Sequence, residues 1–515
     1  MATPGLEHKT TSSGIKTIES PSANVLAMLV DTKRGIPNQK VPITNYRQAL
    51  TEFGGMDANS YAMYAFLVLC EYYGVNQIWA SRVSGTGAVG SKATIIEIEL
   101  IVTSKSVGLD SNNFKLIITP DLIIADKCDI SLVAPVGDDT SDMTELFGYD
   151  GLSTDPDSAM FFGTILNSEC KWLDVAIGAT LTKTQVNTAI EGLTDNTLAF
   201  TGGEDQTSAP IITDYEGVSA SKTGIHVFDN EKSIRALLIP DSTIITDAES
   251  AVAQKALCIA VNTWLTSTDR QYVQYIDSVK DNVNVSGVKT EVIDTLAIDS
   301  KFMTFYWDWV KITDPLTSIA NKYLPPAFHA FGEWVVAENT VGVHKAPANS
   351  ILKGAVGLRY EEVSKGERSV LNTIGVNPMC YMDGSIKVYG ARNRTSDTEW
   401  LFIHVLRTYI MHWTAIIDVS SNLPFTVADN ITRGNVVRNI RGYFRKQDRR
   451  INPDGSLYNK TNPTEDPYYV IADERNNIIE NMLIVDWGIS IVGTNETVKF
   501  RTSLWDGGTE TVRVQ

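Results

Sequence analysis

Apolar positions in this chain form short continuous runs early on, and helical stripes alternating with strand-like runs later. Val25 to Val30 is an apolar run of strand length, the pattern of a strand buried on both faces. Tyr61 to Tyr73 is apolar over a helix's length and closes at Gly74, and Gln77 to Val83 again reads as a strand. Between about 85 and 223 the texture changes. Thr94 to Val102 and Phe114 to Thr119 read as strands between loops of Gly, Asp, Ser and Thr, and periodicity fades in the second half. An inserted, mostly β unit is predicted there. Its polar loops and separate texture predict a peripheral unit, with residues 140–200 replaceable by a short linker.

From 224 onwards strands and helices alternate. Arg235 to Ile239 predicts a strand, and Thr246-x-x-Glu249 is a capping box opening a helix with Val252, Ala256, Ile259 and Thr263/Trp264 on one apolar face. Tyr272 to Asp277 predicts a strand, Val288 to Ala297 a helix, and Phe302 to Val310 a further strand filled with large aromatic side chains. Short links between such elements imply a parallel α/β sheet with helices over both faces. Beyond about 365 the order is mixed. A hairpin is expected at Asp383-Gly384, helices from Glu399 to about Asp418 and from Thr432 to about Arg449, and a strand from Asn481 to Val492.

The expected organisation is an N-terminal arm (1–24), a discontinuous α/β core (25–84 and 224–364), an inserted outer domain (85–223), a mixed α+β C-terminal domain (365–495) and a C-terminal arm (496–515). Both ends are poor in large apolar groups. Each still carries a β-compatible stretch: Gly14, Ile15, Lys16, Thr17 and Ile18 at one end, and Val498, Lys499, Phe500, Arg501, Thr502, Ser503 and Leu504 at the other.

Composition narrows the function. With 515 residues, 43% of them hydrophobic and 20% charged, the chain has ordinary globular content and room for about three or four domains. The longest apolar run, Ala62 to Cys70, stops at Glu71, short of the ~18 residues of a membrane span. The opening residues, Met1-Ala-Thr-Pro-Gly-Leu-Glu-His8, lack a basic stretch followed by an apolar one, so no signal peptide is expected. Cys70, Cys128, Cys170, Cys258 and Cys380 are odd in number and widely spaced, which argues against a disulfide framework or a zinc ribbon and for a reducing compartment. A net charge of −17 speaks against wholesale phosphate binding.

The motifs that hint at chemistry are weak. Gly85-Thr-Gly-Ala-Val-Gly90 has the spacing of a dinucleotide loop, but Ala93 to Val102 alternates like a strand where a helix N-terminus has to follow. Asp241 and Asp277 fall just after strand ends, where open α/β sheets place ligands. An α/β hydrolase working at that edge is the competing reading. Neither aspartate has a histidine nearby in sequence, and His8, His226, His329, His344, His404 and His412 show no metal spacing. No catalytic, cofactor or metal residue is assigned.

The sharpest local signal is basic. Residues 431–450 hold seven cations (Arg433, Arg438, Arg441, Arg445, Lys446, Arg449, Arg450) against the single acid Asp448, a local +6. On a helix Arg438, Arg441, Arg445 and Arg449 share one face, and Val436, Ile440, Tyr443 and Phe444 the opposite one. Strong charge against the global sign suits docking to an acidic partner. Nothing else builds a basic groove, so nucleic acid is not the expected partner.

An ordered set of short stretches resembles the contractile tail sheath family of phages, R-type pyocins and extracellular injection systems. It includes Pro4-Gly5-Leu6, Trp79-Ala-Ser-Arg-Val83, Thr201-Gly-Gly-Glu-Asp205 and Asp214-Tyr-Glu-Gly217. Phe305-Tyr-Trp-Asp-Trp-Val310 with Asp314-Pro315, Pro325-Pro326 and Gly342-Val-His-Lys-Ala-Pro-Ala348 follow. Val388-Tyr-Gly-Ala-Arg392, Tyr469-Val-Ile-Ala-Asp473 and Leu483-Ile-Val-Asp486 complete the order. The resemblance implies a subtilisin-like α/β core without the protease triad, hence no enzyme and no cofactor. It implies six-membered rings stacked around an inner tube and joined by terminal arms that add strands to neighbouring subunits. A metastable extended state then contracts and drives the tube through a target envelope. The implied partners are further copies of the chain, the inner tube protein, and baseplate and tail-terminator proteins, with no membrane insertion. The implied location is a virion tail or phage-tail-like particle assembled in the bacterial cytoplasm.

Overall fold

The computed structural model describes residues 18–493 apart from 122, 125, 179–180, 246–249, 268–271, 282–283, 318–320, 361, 422, 425–428, 474–476 and 478–481. β1 (Leu26–Val30) is buried at every position. Its side chains divide by period two between two cores, Leu26, Met28 and Val30 facing one and Ala27 and Leu29 the other. β2 (Lys40–Ile43) and α1 (Tyr46–Phe53) follow, α1 being capped by the Asn45 side chain, which accepts from the Gln48 amide at 2.8 Å. α2 (Ala62–Phe66) runs on as a π-helical stretch, Leu67–Tyr72, and the turn closes at Gly74 with a φ of 70°. β3 (Ile78–Arg82) pairs parallel to β1.

The insert follows. It contains β4 (Gly90–Ile95), β5 (Leu100–Val107), β6 (Lys115–Pro120), β7 (Lys127–Val136), β8 (Asp139–Ser153), α3 (Phe162–Glu169), β9 (Leu173–Ala176), α4 (Lys183–Glu191) and β10 (Thr197–Ala199). A sheet of order β4-β5-β9 and another of order β10-β6-β7-β8 enclose a separate core around Phe114, Trp172 and Phe200. Thr94 to Val102, expected as one strand, is a hairpin. Ile96–Ile98 makes a 3-10 turn, Glu99 takes a φ of 49°, and Ile95 pairs with Leu100 across it. The apolar alternation runs through the turn with no Gly or Asn to mark it, and Ile96 is left 80% exposed.

Residues 140–200 are not a separable part of this unit. They contain β9 and β10, which pair with β5 and β6, and both helices that cover the shared core. The chain enters and leaves at one place. Val89 bridges to Glu204 and Lys92 to Thr201, and the Thr207 amide donates to the Thr86 carbonyl at 2.9 Å. Tyr215, in α5 (Ile212–Glu216), is already packed beneath the main sheet, so the chain has rejoined the core before residue 223.

The second half of the core supplies β11 (Ala236–Leu238), α6 (Ser250–Thr266), β12 (Gln274–Ser278) and α7 (Val285–Lys289), which continues as a π-helical stretch, Thr290–Leu296. β13 (Met303–Trp307), β14 (Val310–Thr313), β15 (Asn321–Leu324), α8 (Ala327–Thr340), β16 (Gly357–Leu358), α9 (Lys365–Thr373), β17 (Val376–Met382) and β18 (Ser385–Val388) complete it. Among the described residues the main sheet has the order β18-β17-β13-β12-β11-β1-β3-β2. Its inner strands, β17 to β3 in that order, are parallel, and the edges β18 and β2 are antiparallel. The expected α/β sheet is therefore present, and it takes its last strands from beyond residue 364. β17 and β18 are joined at Asp383 and Gly384, with φ of 52° and 75°, the left-handed pair of a two-residue hairpin.

α6 packs with a different face from the one expected. Ala253, Leu257, Val261 and Leu265 are buried, while Ile259 is 51% exposed and Thr263 is exposed; of the expected face, Trp264 is buried. The helix is apolar nearly all round, so its periodicity does not choose a side. The Thr246/Glu249 capping box and the Val252 side chain lie outside the described residues.

α10 (Ile403–Ser420) links the core to the C-terminal unit. Leu406 and Ile410 pack on the main sheet, and Ala415 and Ile416 join a smaller core with α11 (Asn430–Gln447), β19 (Tyr468–Ile471) and β20 (Asp486–Ile489). The strand expected over Asn481 to Val492 is confined to β20. No helix among the described residues is long and apolar enough to cross a membrane.

Candidate assembly surfaces

α11 is amphipathic as expected. Asp429 caps it, accepting from the Thr432 amide at 2.7 Å, and Val436, Ile440, Tyr443 and Phe444 are buried in the C-terminal core. Arg438, Arg441 and Arg445 stand exposed on the other side, with no acidic partner among the described residues. Arg438 donates to the Asn435 side chain at 3.3 Å and Arg441 to the Val470 carbonyl at 3.0 Å. Arg449 does not belong to this face. The helix ends at Gln447, Asp448 turns the chain with a ψ of 117°, and the Arg449 guanidinium goes to His344 and to the Gly455 carbonyl, each at 3.4 Å. The helical projection was carried past the cap, and the chain does not follow it.

Beside α11 lies the β19–β20 pair, a two-stranded ribbon with Tyr469 exposed over Gly488. A two-stranded ribbon is marginal alone and is held here by packing of Tyr468 and Trp487 on Phe444, with ring centroids 5.5 and 5.6 Å away. Of the proposed linking residues, Gly14, Ile15, Lys16 and Thr17 and the whole of Val498 to Leu504 lie outside the described residues. Ile18 is described, and it is buried in its own chain's C-terminal core. The segment from Ile18 to Asn24 continues across α10, where Ala23 N–H donates to Glu338 at 3.0 Å and Arg407 donates to the Ala23 carbonyl at 3.2 Å.

Asp241 and Asp277 sit at the carboxyl edge of neighbouring strands, β11 and β12, and both are buried. Asp241 accepts from the Tyr61 amide at 2.7 Å and the Ser60 hydroxyl at 2.9 Å, holding the start of α2 to the sheet. Asp277 accepts from the Ser242 hydroxyl at 2.6 Å, the Ser278 amide at 2.8 Å and Gln254 at 3.1 Å. Burial pushes Asp241 up to about 7 and raises Asp277 as well. The same edge holds two more carboxylates raised by burial, Asp31 after β1 at about 6 and Asp308 after β13 at about 7. Their partners are the protein's own backbone, hydroxyls and the side-chain amides of Gln206 and Gln254, which is the chemistry of a structural brace. Gly85 to Val89 form a loop and Gly90 opens β4, so no helix N-terminus follows the glycines. Among the described residues no group of three or more His, Cys, Asp or Glu is arranged to hold a metal ion.

With this geometry the chain superposes end to end on proteins of contractile particles. It covers 98% of itself and 99% of the helical sheath protein of the anti-feeding prophage in its contracted state, at a TM-score of 0.58 and 14% identity. The sheath tail protein of Listeria innocua matches over 94% of each chain, with a TM-score of 0.61 and 13% identity. The contracted sheath of an extracellular contractile injection system, PVC, matches over 98% of each chain at 0.56 and 13%. The fold is that of contractile sheath proteins. No protein-family model matches the chain, and no curated protein matches it in sequence.

Sequence reasoning missed the contact between residues 18–24 and the C-terminal helices. Ile18 stands in a polar stretch, and a lone apolar residue there carries no signal of its own.

Proposed function

We propose that the chain is the structural subunit of a contractile sheath and catalyses no reaction. Copies assemble as stacked six-membered rings around an inner tube, and the assembly shortens from a metastable extended state to drive that tube through a cell envelope. The observation that carries the reading is the match across 98% of this chain and 99% of a helical sheath protein, insert included. A fold shared only in its α/β core would leave the insert and the C-terminal unit unmatched.

In this reading Arg438, Arg441 and Arg445 dock on acidic groups of the inner tube, and the arms carrying Gly14 to Thr17 and Val498 to Leu504 cross to neighbouring subunits. An arm with little core of its own gains order by completing another sheet, through main-chain hydrogen bonds worth about 1 kcal/mol each. Baseplate and terminator proteins close the two ends of the stack, and the particle forms in the bacterial cytoplasm. The sheath of a non-phage injection or secretion system has the same mechanics and is the alternative reading. Capsid and terminase genes beside this one would mark a phage instead. Sedimentation velocity of the purified chain tests the proposal. Species far heavier than the 56.6 kDa subunit support it, and a sharp monomer boundary at high concentration contradicts it.

A further inference from the structure

Five side chains from separate parts of the chain close a hydrogen-bonded ring where the N-terminal segment meets the C-terminal helices. Gln447 Nε2 donates to Ser20 Oγ at 3.3 Å, and Ser20 Oγ lies 3.2 Å from the Tyr443 hydroxyl. That hydroxyl is 2.9 Å from His412 Nδ1, and His412 Nε2 is 2.8 Å from Ser456 Oγ. Ser456 Oγ donates to Gln447 Oε1 at 3.2 Å and closes the ring.

The amide of Gln447 sets the direction of every proton. Ser456 spends its hydrogen on Gln447 Oε1, so it accepts from His412 Nε2–H. A neutral imidazole has one donor and one acceptor, so Nδ1 accepts from the Tyr443 hydroxyl. Tyr443 in turn accepts from Ser20, which accepts from Gln447. Each group donates once and accepts once in these directions when the histidine is neutral; a proton on Nδ1 turns the Tyr443 hydroxyl towards Ser20 Oγ, which then accepts from both Tyr443 and Gln447.

His412 is fully buried on α10, between the rings of Tyr443 and Phe444 at 5.5 and 5.8 Å. The titratable and charged groups around it are Tyr443 from α11 and His344 from the loop after α8. Arg449 sits 3.4 Å from His344, and Asp454 also acts on His344. His404 lies two turns back on the same helix, near Arg407 and Lys460. No carboxylate among the described residues bonds His412. Protonation therefore puts an unpaired imidazolium in a dry site beside other cationic or protonatable groups, and it reverses the Tyr443 hydroxyl.

We propose that this ring is a proton-operated latch on the root of the N-terminal segment. Protonation of His412 at Nδ1 is relieved when Ile18 to Ser20 lift off and water reaches the imidazole. Burial holds His412 down to about 3 in the closed form, against an ordinary value near 6.5 once hydrated. Linkage then fixes the sign: as pH falls below about 6.5 the open form gains a proton that the closed form refuses, so opening grows more favourable. The latch rests on contacts within one chain and stands whether or not the sheath reading holds. If that reading holds, the latch governs the exit point of the arm that links subunits.

Glu19 is exposed and lies inside the latched segment, which gives a direct probe. The full chain is digested with a glutamate-specific endoproteinase from pH 7.5 to 4.5. Cleavage after Glu19 is scored by mass spectrometry against a free peptide of residues 13–26 at each pH. Glu333, buried in α8, serves as the check that the core stays folded. Normalised cleavage rises by up to about tenfold per pH unit below about 6.5. His412→Gln flattens that slope, and Ser20→Ala, an exposed change that leaves both helices intact, speeds cleavage several-fold at pH 7.5. A flat wild-type profile, a wild-type slope in His412→Gln, unchanged cleavage of Ser20→Ala at pH 7.5, or cleavage at Glu333 in parallel with Glu19 each overturns the latch.

Discussion

Arg34, just after the first core strand, donates to the backbone carbonyl of Pro135 in the insert at 2.6 Å. The same guanidinium bonds Asp110 and the Thr51 carbonyl and lies over the Phe114 ring, so a fully buried charge is shared between core and insert. Replacing it by Ala leaves the nearly buried Asp110 carboxylate without its cation, held by Asn113 Nδ2 at 3.2 Å. Arg34→Ala is expected to destabilise the chain by about 3–5 kcal/mol, the usual range for breaking a buried pair from one side. Urea denaturation followed by tryptophan fluorescence measures it, and a loss under about 1 kcal/mol would show that the insert docks by other contacts.

The paired entry and exit of the insert predict where it can be removed. Excising residues 86–207 with a short Gly/Ser linker, together with Arg34→Met, is expected to give a folded core that still assembles. Excising only 140–200 removes β9 from one edge of β5 and β10 from one edge of β6, takes most of β8 from β7 and strips both helices from the shared core, and gives aggregated protein. Soluble yield and electron microscopy of the two deletions decide between them; equal behaviour would refute the single-core description of the insert.

Asp241 gives a pH dependence of unusual sign. Its folded value, about 7, lies above that of an unfolded aspartate, so below pH ~4 both states are protonated and nothing is lost. As pH rises from 4 to 7 the unfolded chain releases the proton first, and the folded chain is destabilised by up to roughly 1.4 kcal/mol per pH unit. Asp241→Asn, which cannot titrate, should become more stable relative to wild type across that window. Parallel stability profiles for the two proteins from pH 4 to 7.5 would place the Asp241 carboxyl in a wetter site than the structure has it.

How much of this was legible in the sequence depends on the scale of the signal. The parallel sheet was readable because buried strands such as Leu26–Val30 are continuously apolar and the elements between them are short. The buried stripe of α11 was readable because its outer face is charged, which fixes the side that packs. The buried side of α6 was not, because Leu257 and Ile259 look equally apolar and only the sheet beneath decides which one is covered. The hairpin at Ile96–Ile98 lacked turn residues, and Arg449 left its helical face because Asp448 ends the helix one residue earlier. The Ser20–His412 ring is a tertiary product of segments hundreds of residues apart. No local pattern announces it.

The exposed arginines predict a salt-dependent contact. Arg438→Glu with Arg445→Glu is expected to weaken co-assembly with the inner tube protein more at 50 mM salt than at 500 mM, because screening already suppresses the attraction at the higher value. Arg449→Glu, facing His344 instead, should leave the salt dependence unchanged. Co-sedimentation with the tube reads both, and equal wild-type and double-variant yields at low salt would remove this face from the tube contact.

Deleting residues 1–17 keeps Ile18 and its burial, so the melting temperature should stay within a few degrees of wild type. Long assemblies should be lost, leaving rings or monomers. A deletion variant that still forms long sheaths would contradict linkage through the N-terminal segment.

The central claim, that this chain builds a contractile sheath, is tested most directly by negative-stain microscopy of the protein expressed alone. The account predicts long hollow tubes made of stacked rings with six subunits in each. A field of single, non-assembling particles of subunit size at high concentration would contradict it.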